Sequence, residues 1–427
     1  MEKIVNDILK EEIYYEKLKN GLDLFYMPKK GFTKKYAVFA TKYGSNELEF
    51  IPIGEKDRIR VNEGVAHFLE HKMFEQPNGG NAFDRFSELG ASANAYTNFT
   101  MTAYLFWATD NFYESLEHLI NYVQTPYFTD ENVEKEKGII EQEIKMYDDN
   151  ADWKVYFNAL KAMYVNHPTR VDIAGTVESI YKITKEELYK CYNTFYNPSN
   201  MVLFIVGDLE YEKIMETVNK TIKTDVEILG DIKRFYPDEP NNVNQKEIVE
   251  NLSVSIPMFN IGFKDIDVNL VGRELLKKEI STEIILDLIF KKGSLLHEEL
   301  YLKGLINENF GCNHVSQIDH GYTIIGGESK DPYKVKDIVF KYIDKYKKEG
   351  LIKEDFERIK KKKIGMFLKY FDSVEFIANN FISYKFRDIN LIDYLEVLRE
   401  IKFEEVNKRF KDHFKEEYSV ISIVNPK

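Results

Sequence analysis

Apolar and polar positions follow two different rhythms along this chain, and the changes of rhythm mark its elements. Residues 36–43 predict a strand, 64–74 a helix and 82–89 a second helix. Residues 91–109 read as a strand. There Thr100, Thr102, Tyr104 and Phe106 alternate with Met101, Ala103, Leu105 and Trp107, a period of two enriched in β-branched and aromatic side chains. Helical periodicity returns over 111–122 and again from Asp130 to about residue 146, with Thr129 or Asp130 as N-cap. Residues 201–206 are an unbroken apolar run of strand length that stops at Gly207-Asp208.

Both rhythms fade over 225–246, a polar stretch carrying Gly230, Pro237, Asp238, Glu239, Pro240, Asn241 and Asn242, which is linker chemistry. A boundary there predicts one domain over 1–224 and a second over 247–427. An internal repeat supports the cut. Ile183-Thr-Lys-Glu-Glu-Leu-Tyr-Lys-Cys-Tyr and Ile401-Lys-Phe-Glu-Glu-Val-Asn-Lys-Arg-Phe match at an offset of 218, and the offset carries Val202, Ile205 and Val206 onto Val420, Ile423 and Val424. A helix followed by a strand recurs half a chain later, so two similar α+β domains are expected.

Composition narrows the function classes. The 427 residues are 44% hydrophobic and 14% aromatic with only 11 Pro and 22 Gly, a globular balance that excludes disorder for the whole chain. Lys plus Arg total 59 against 71 Asp plus Glu, and the net charge of −12 disfavours nucleic acid and anionic lipid as partners. Two cysteines, Cys191 and Cys312, make no disulfide framework and no CxxC pair, which fits a reducing compartment. The acidic N-terminal segment does not read as a signal peptide, and no apolar run approaches the roughly 20 residues of a membrane helix. A cytoplasmic protein without membrane insertion is expected.

The informative segment is Val65-Ala-His67-Phe-Leu-Glu70-His71-Lys-Met-Phe74. On a helix, His67, Glu70 and His71 share one face, while Val65, Phe68, Leu69 and Met73 turn toward a core. Two imidazoles four apart form a bidentate zinc clamp, and a carboxylate beside them is placed to take a proton from a water that the ion activates. This His-x-x-Glu-His order is the inverted zinc-protease motif. The bland alternative is a polar helix face, but with 8 His in the chain the chance expectation is roughly 0.015 per chain. Zinc with an open catalytic position needs a third ligand. Glu136 and Glu143, two turns apart on the acidic helix, are candidates: Glu143 to ligate, Glu136 to orient a ligating His. The same segment also reads as an exposed helix rich in Glu–Lys pairs. Glu141 points elsewhere.

Over most of its length the chain resembles the pitrilysin, insulinase and mitochondrial processing peptidase family. The resemblance rests on His67-Phe-Leu-Glu70-His71, on Glu136 and Glu143, on His167-Pro-Thr-Arg-Val-Asp-Ile-Ala-Gly175-Thr-Val-Glu-Ser, and on Tyr196-Asn-Pro-Ser-Asn-Met-Val-Leu-Phe-Ile-Val-Gly207-Asp. It implies two duplicated α+β domains, each a mixed, mainly antiparallel sheet packed with helices, that make half of a clamshell around a peptide chamber. It further implies zinc ligands His67, His71 and Glu143, the base Glu70 and the supporting Glu136. The chain looks most like half-size bacterial members, which build the shell from two chains. A peptide adding as an extra strand would meet the segment Ala91-Ser-Ala-Asn94-Ala95-Tyr96-Thr97, and the resemblance assigns Asn94 and Ala95 to substrate binding.

One departure shapes the expected partner. The family's second half usually offers an Arg and, seven residues on, a Tyr near a Gly-Leu turn, to hold the substrate carbonyl. Here Leu300 and Asn307 stand at those places around Gly304-Leu305, and the 218 offset puts Ile285, Leu288 and Ile289 where the first half has His67, Glu70 and His71. A zinc endopeptidase is therefore expected to pair with a zinc-free homologous subunit that supplies Arg and Tyr. A homodimer with Tyr301 or Asn307 standing in is the competitor, and a noncatalytic peptide-binding scaffold or assembly subunit is the alternative from another class. Cys312, His314 and His320 around Asp319 offer metal-ligand chemistry, but three such residues on a strand-turn-strand read more readily as exposed polar positions.

Overall fold

The computed structural model describes residues 2–77, 79–226, 228 and 230–427. They form two compact units, each discontinuous in sequence. The first gathers Met1–Ile144, Asp172–Tyr236 and Tyr370–Phe386; the second gathers Lys145–Val171, Pro237–Lys369 and Arg387–Lys427. The strands are β1 (Glu2–Asn6), β2 (Glu11–Lys17), β3 (Asp23–Pro28), β4 (Lys35–Thr41), β5 (Glu49–Phe50), β6 (Ile59–Arg60), β7 (Ser92–Thr97), β8 (Thr102–Ala108), β9 (Met201–Gly207), β10 (Glu247–Leu252), β11 (Met258–Lys264), β12 (Gly311–Ser316), β13 (Gly321–Glu328) and β14 (Ser419–Pro426). The helices are α1 (Val65–Met73), α2 (Ala82–Glu88), α3 (Phe112–Val123), α4 (Asp130–Asp148), α5 (Ala151–Met163), α6 (Val177–Ile180), α7 (Lys185–Phe195), α8 (Tyr211–Thr221), α9 (Gly272–Ile289), α10 (Leu295–Leu302), α11 (Pro332–Glu349), α12 (Lys353–Tyr370), α13 (Val374–Lys385), α14 (Tyr394–Glu400) and α15 (Phe403–His413).

The first unit holds a seven-stranded sheet in the order β1-β2-β3-β9-β4-β8-β7, antiparallel except where β3 runs parallel to β9. The second holds a five-stranded sheet in the order β10-β14-β11-β13-β12, with β10 parallel to β14 and the rest antiparallel. Strand for strand, the second sheet reproduces the β3-β9-β4-β8-β7 part of the first. The duplication seen in the sequence is thus a duplication of topology, and the first unit adds the β1-β2 hairpin.

The central strands are apolar at consecutive positions because both faces of the sheet are covered. β9 is buried at every residue and β4 at every residue but its first. On one face Phe39, Phe106 and Leu203 join Leu116, Leu188 and Val218 in the main core. On the other, Phe381 of α13 stacks on Phe204 at 4.2 Å between ring centroids and meets Phe25 at 4.8 Å. A division at the 225–246 linker would leave α13 with the second half and α5 with the first, whereas each belongs to the other unit. In the second unit, Val155 of α5 packs with Leu252 and Val424, and the Asn158 side chain donates to Glu250 at 2.9 Å. α5 and α13 occupy the same place in the repeated order of elements, so an amphipathic helix at either position suits either sheet, and the hydrophobic pattern does not say which.

The span 91–109 is two strands, β7 and β8, rather than one. Asn98 makes the turn: its side-chain oxygen accepts the backbone N–H groups of Thr100 and Met101, both at 2.9 Å, a local turn that the alternation of residues around it conceals. Thr129 is the residue that caps α4, accepting the Asn132 N–H at 3.1 Å. α1 starts from a close backbone approach. Gly64 has φ 87°, and a Cβ there would lie 2.3 Å from the Ala174 carbonyl oxygen, while Gly175 (φ 76°) would put one 2.6 Å from the Glu63 oxygen. The two glycines let the 63–64 and 174–175 backbones abut, which fixes where α1 begins. Gly64→Ala should therefore lower stability by at least about 1–3 kcal/mol, the cost of strained backbone before any clash is added; an unchanged denaturation midpoint would show that this approach does not set the helix start.

Candidate active site

α1 presents its chemistry because its apolar stripe is pinned. Val65, Phe68, Leu69 and Met73 are all at most 1% exposed, which leaves His67, Glu70 and His71 turned to the adjoining face. α4 brings the acids. Val133, Ile140 and Ile144 are buried and anchor it, and Glu136 and Glu143 flank that stripe on the side of the two histidines.

His67 Nε2 lies 3.7 Å from Glu143 Oε1, and His71 Nε2 lies 3.5 Å from Glu143 Oε2. These separations are too long for hydrogen bonds. They are a few tenths of an ångström longer than the roughly 3.3 Å between donor atoms around a tetrahedral zinc with bonds of about 2.05 Å. One ligand atom from each of the three residues lies within 4.8 Å of the others. The donor set of two imidazoles and a carboxylate fits a zinc ion with an open fourth position. Burial, with the charge of His71 adding to it, pushes His67 down to about 3, so its ring is neutral and offers a lone pair near pH 7. Burial also works against a charge on His71, but its hydrogen bond to Glu136 and the nearby Glu143 and Glu70 outweigh it and hold it above the usual histidine value. Metal binding at Nε2 would therefore compete with protonation of the ring.

Glu136 stands behind His71, with Oε1 3.0 Å from Nδ1. Glu70 is 8% exposed, and its Oε2 accepts the Thr97 hydroxyl at 2.6 Å. Burial raises its carboxyl above the ordinary range, and the Thr97 hydrogen bond tempers the rise. Burial likewise raises Glu143, partly offset by His71. Glu141 turns away from this group to receive the Tyr181 hydroxyl.

Asn94 and Ala95 lie on β7, the end strand of the sheet. The Ala95 N–H is engaged by Asn94 Oδ1 at 2.9 Å. Beside Glu70 and His71 opens a cavity of about 580 Å³, walled by Phe74, Phe83, Asn94, Ala95, Lys135 and Ile139. The sequence reading gave no role to Thr97 or Lys72. Both carried a signal. Period-two alternation puts Thr97 on the same face of β7 as Ala95, and helical spacing puts Lys72 on the apolar stripe of Val65, Phe68 and Leu69.

The second unit offers no equivalent centre among its described residues. Ile285 and Ile289 are buried in α9, Leu300 is wholly buried, and the Asn307 amide donates to Glu328. Far from exposed, His320 is 1% accessible and its Nδ1 meets Asp319 Oδ1 at 2.7 Å, while His314 contacts the Thr323 hydroxyl at 3.0 Å. His320, in the turn between β12 and β13, is covered by the rings of Tyr164 and His167, which explains the difference. His167, Asp319 and His320 cluster closely enough to suggest a metal. However, His167 Nδ1 accepts the Thr169 N–H at 3.2 Å, so its proton sits on Nε2, which faces Asp319 at 3.2 Å. An Nε2 that carries the proton has no lone pair for an ion, and the trio is a hydrogen-bonded structural cluster.

Known proteins of similar sequence and structure identify the family. Residues 50–177 match the insulinase (peptidase family M16) family model, and residues 182–363 match that of the peptidase M16 inactive domain. YmfH, an uncharacterized zinc protease of Bacillus subtilis (strain 168), is 45% identical over 420 residues, 98% of each chain. A solved M16-like peptidase from Alicyclobacillus acidocaldarius superposes with a TM-score of 0.93 at 37% identity, covering 98% of this chain and 99% of that one. Pitrilysin shares the fold at a TM-score of 0.74 and 16% identity, and this chain covers 46% of it. The chain belongs to the M16 family of peptidases.

If the three ligand atoms act as a set, Glu143→Gln should cut the zinc retained through purification from about one per chain to a small fraction, with the fold intact by circular dichroism. Retention equal to the parent would remove Glu143 from the set.

Proposed function

We propose that this chain is a zinc-dependent endopeptidase that cleaves peptides or unfolded segments in a chamber completed by a second, homologous subunit. The observation that carries the reading is the convergence of His67, His71 and Glu143, with Glu70 beside them and the open strand β7 alongside. A zinc ion held by the three supplies Lewis acidity toward the scissile carbonyl and acidifies the attacking water.

Glu70 is the general base. Its raised carboxyl pKa brings it nearer the working pH, which favours accepting a proton from water and returning it to the leaving amine. Thr97 holds Glu70 in place through its hydroxyl on Oε2. The substrate backbone adds to the edge of β7 at Asn94 and Ala95, displacing the Asn94 side chain from the Ala95 N–H, and one substrate side chain enters the adjoining cavity. Main-chain pairing of this kind binds extended peptides with little dependence on sequence.

The partner follows from what the second unit lacks. Leu300 and Asn307 provide neither cation nor phenol, so a zinc-free homologue is assigned the Arg and Tyr that hold the substrate carbonyl. Tyr301, 56% exposed, is what a homodimer would have to use instead. The cytoplasmic setting rests on two free cysteines, Cys191 and Cys312; none of the described helices is long and apolar enough to cross a membrane.

Glu70→Gln should keep zinc and lose at least about a hundredfold in peptide cleavage, the typical worth of a general base. Cleavage at the parent rate would show that Glu70 is not the base. Mixing the chain with the zinc-free homologue should raise activity well above that of the chain alone, and equal activity would leave the homodimer.

A further inference from the structure

Lys72 lies next to His71 on α1 and is 0% exposed. An ammonium group so buried is strongly unfavourable unless it is paired. Its partners are Glu75, three residues on, and Glu136, whose Oε2 is 3.5 Å from Nζ. The other Glu136 oxygen, Oε1, lies 3.0 Å from His71 Nδ1. One carboxylate is therefore gripped from both sides, by lysine on one oxygen and by imidazole on the other.

For His71 to bind an ion through Nε2, its single ring proton must sit on Nδ1 and point at Glu136. That requires an anionic carboxylate held at a fixed angle. A glutamate as enclosed as Glu136, 12% exposed, keeps neither property well without a countercharge, and the ammonium of Lys72 supplies both. His67 has no corresponding support: its Nδ1 is buried without a hydrogen-bond partner among the described residues. The outer support of the pair of histidines therefore runs through His71, Glu136 and Lys72.

We propose that Lys72 is a positioning residue of the metal site, which fixes the Glu136 carboxylate so that Glu136 orients His71 and tightens the hold on zinc. The proposal rests on the reading of His67, His71 and Glu143 as zinc ligands.

The test is zinc affinity of the full-length apo-protein, measured by competition with a chelating dye and independent of catalysis. The parent should bind one zinc; if it binds none, the ligand reading itself fails. Lys72→Met should weaken binding about 10- to 100-fold, the usual effect of losing an outer partner. Glu75→Gln, which alters the lysine's other partner, should stay within about threefold of the parent. Because Lys72 acts through Glu136, the double variant Lys72→Met/Glu136→Gln should bind no more than about threefold more weakly than Glu136→Gln alone. A parent that binds zinc beside a Lys72→Met variant of equal affinity, or losses that multiply in the double variant, would overturn the proposal and leave the ligand reading standing. If Lys72→Met does not fold, Lys72→Met/Glu75→Leu removes the stranded carboxylate as well and carries the same expectation; failure of both to fold would mean that the lysine serves the fold alone, and would also overturn it.

Discussion

Everything functional in this chain depends on holding one carboxylate of α4 opposite two imidazoles of α1. At 3.5 and 3.7 Å the three side chains make no hydrogen bonds to one another, so the scaffold has to hold them in place. Buried apolar residues on both helices, the glycine contact at the start of α1 and the edge of β7 behind Glu70 all act to keep that approach. Burial here has chemical consequences as well as energetic ones. It strips the charge from His67 and raises Glu70, which are the states a ligand and a base require.

The two units show how a duplicated fold carries chemistry in one copy. The sheets share their order and their single parallel pair, yet α1 carries His67, Glu70 and His71 where α9 has Ile285, Leu288 and Ile289. Three apolar residues, two of them buried, remove the site without altering the architecture. The exchange of α5 and α13 fits the same view, because repeated elements remain interchangeable in packing after their functions have parted.

The catalytic face was legible because a helix makes spacing into geometry: positions 67, 70 and 71 share a side whatever surrounds them. Glu136 and Glu143 were readable as a pair for the same reason, and the resemblance set Glu143 with His67 and His71, but which histidine Glu136 would meet was not readable, since contact between α1 and α4 is a tertiary fact. The turn at Asn98 was lost because its side chain replaces strand hydrogen bonds locally, inside a stretch whose alternation never breaks. The helix exchange was unreadable in principle from periodicity. Lys72 was different. A lysine on an apolar stripe is a local contradiction visible in the sequence, and such contradictions point to functional sites.

The most direct measurement is anomalous diffraction at the zinc edge from crystals of the purified protein. A single peak about 2.0–2.2 Å from His67 Nε2, His71 Nε2 and a Glu143 oxygen is the expected result. No peak at those atoms, or one lodged at His167 and His320 instead, would contradict the account.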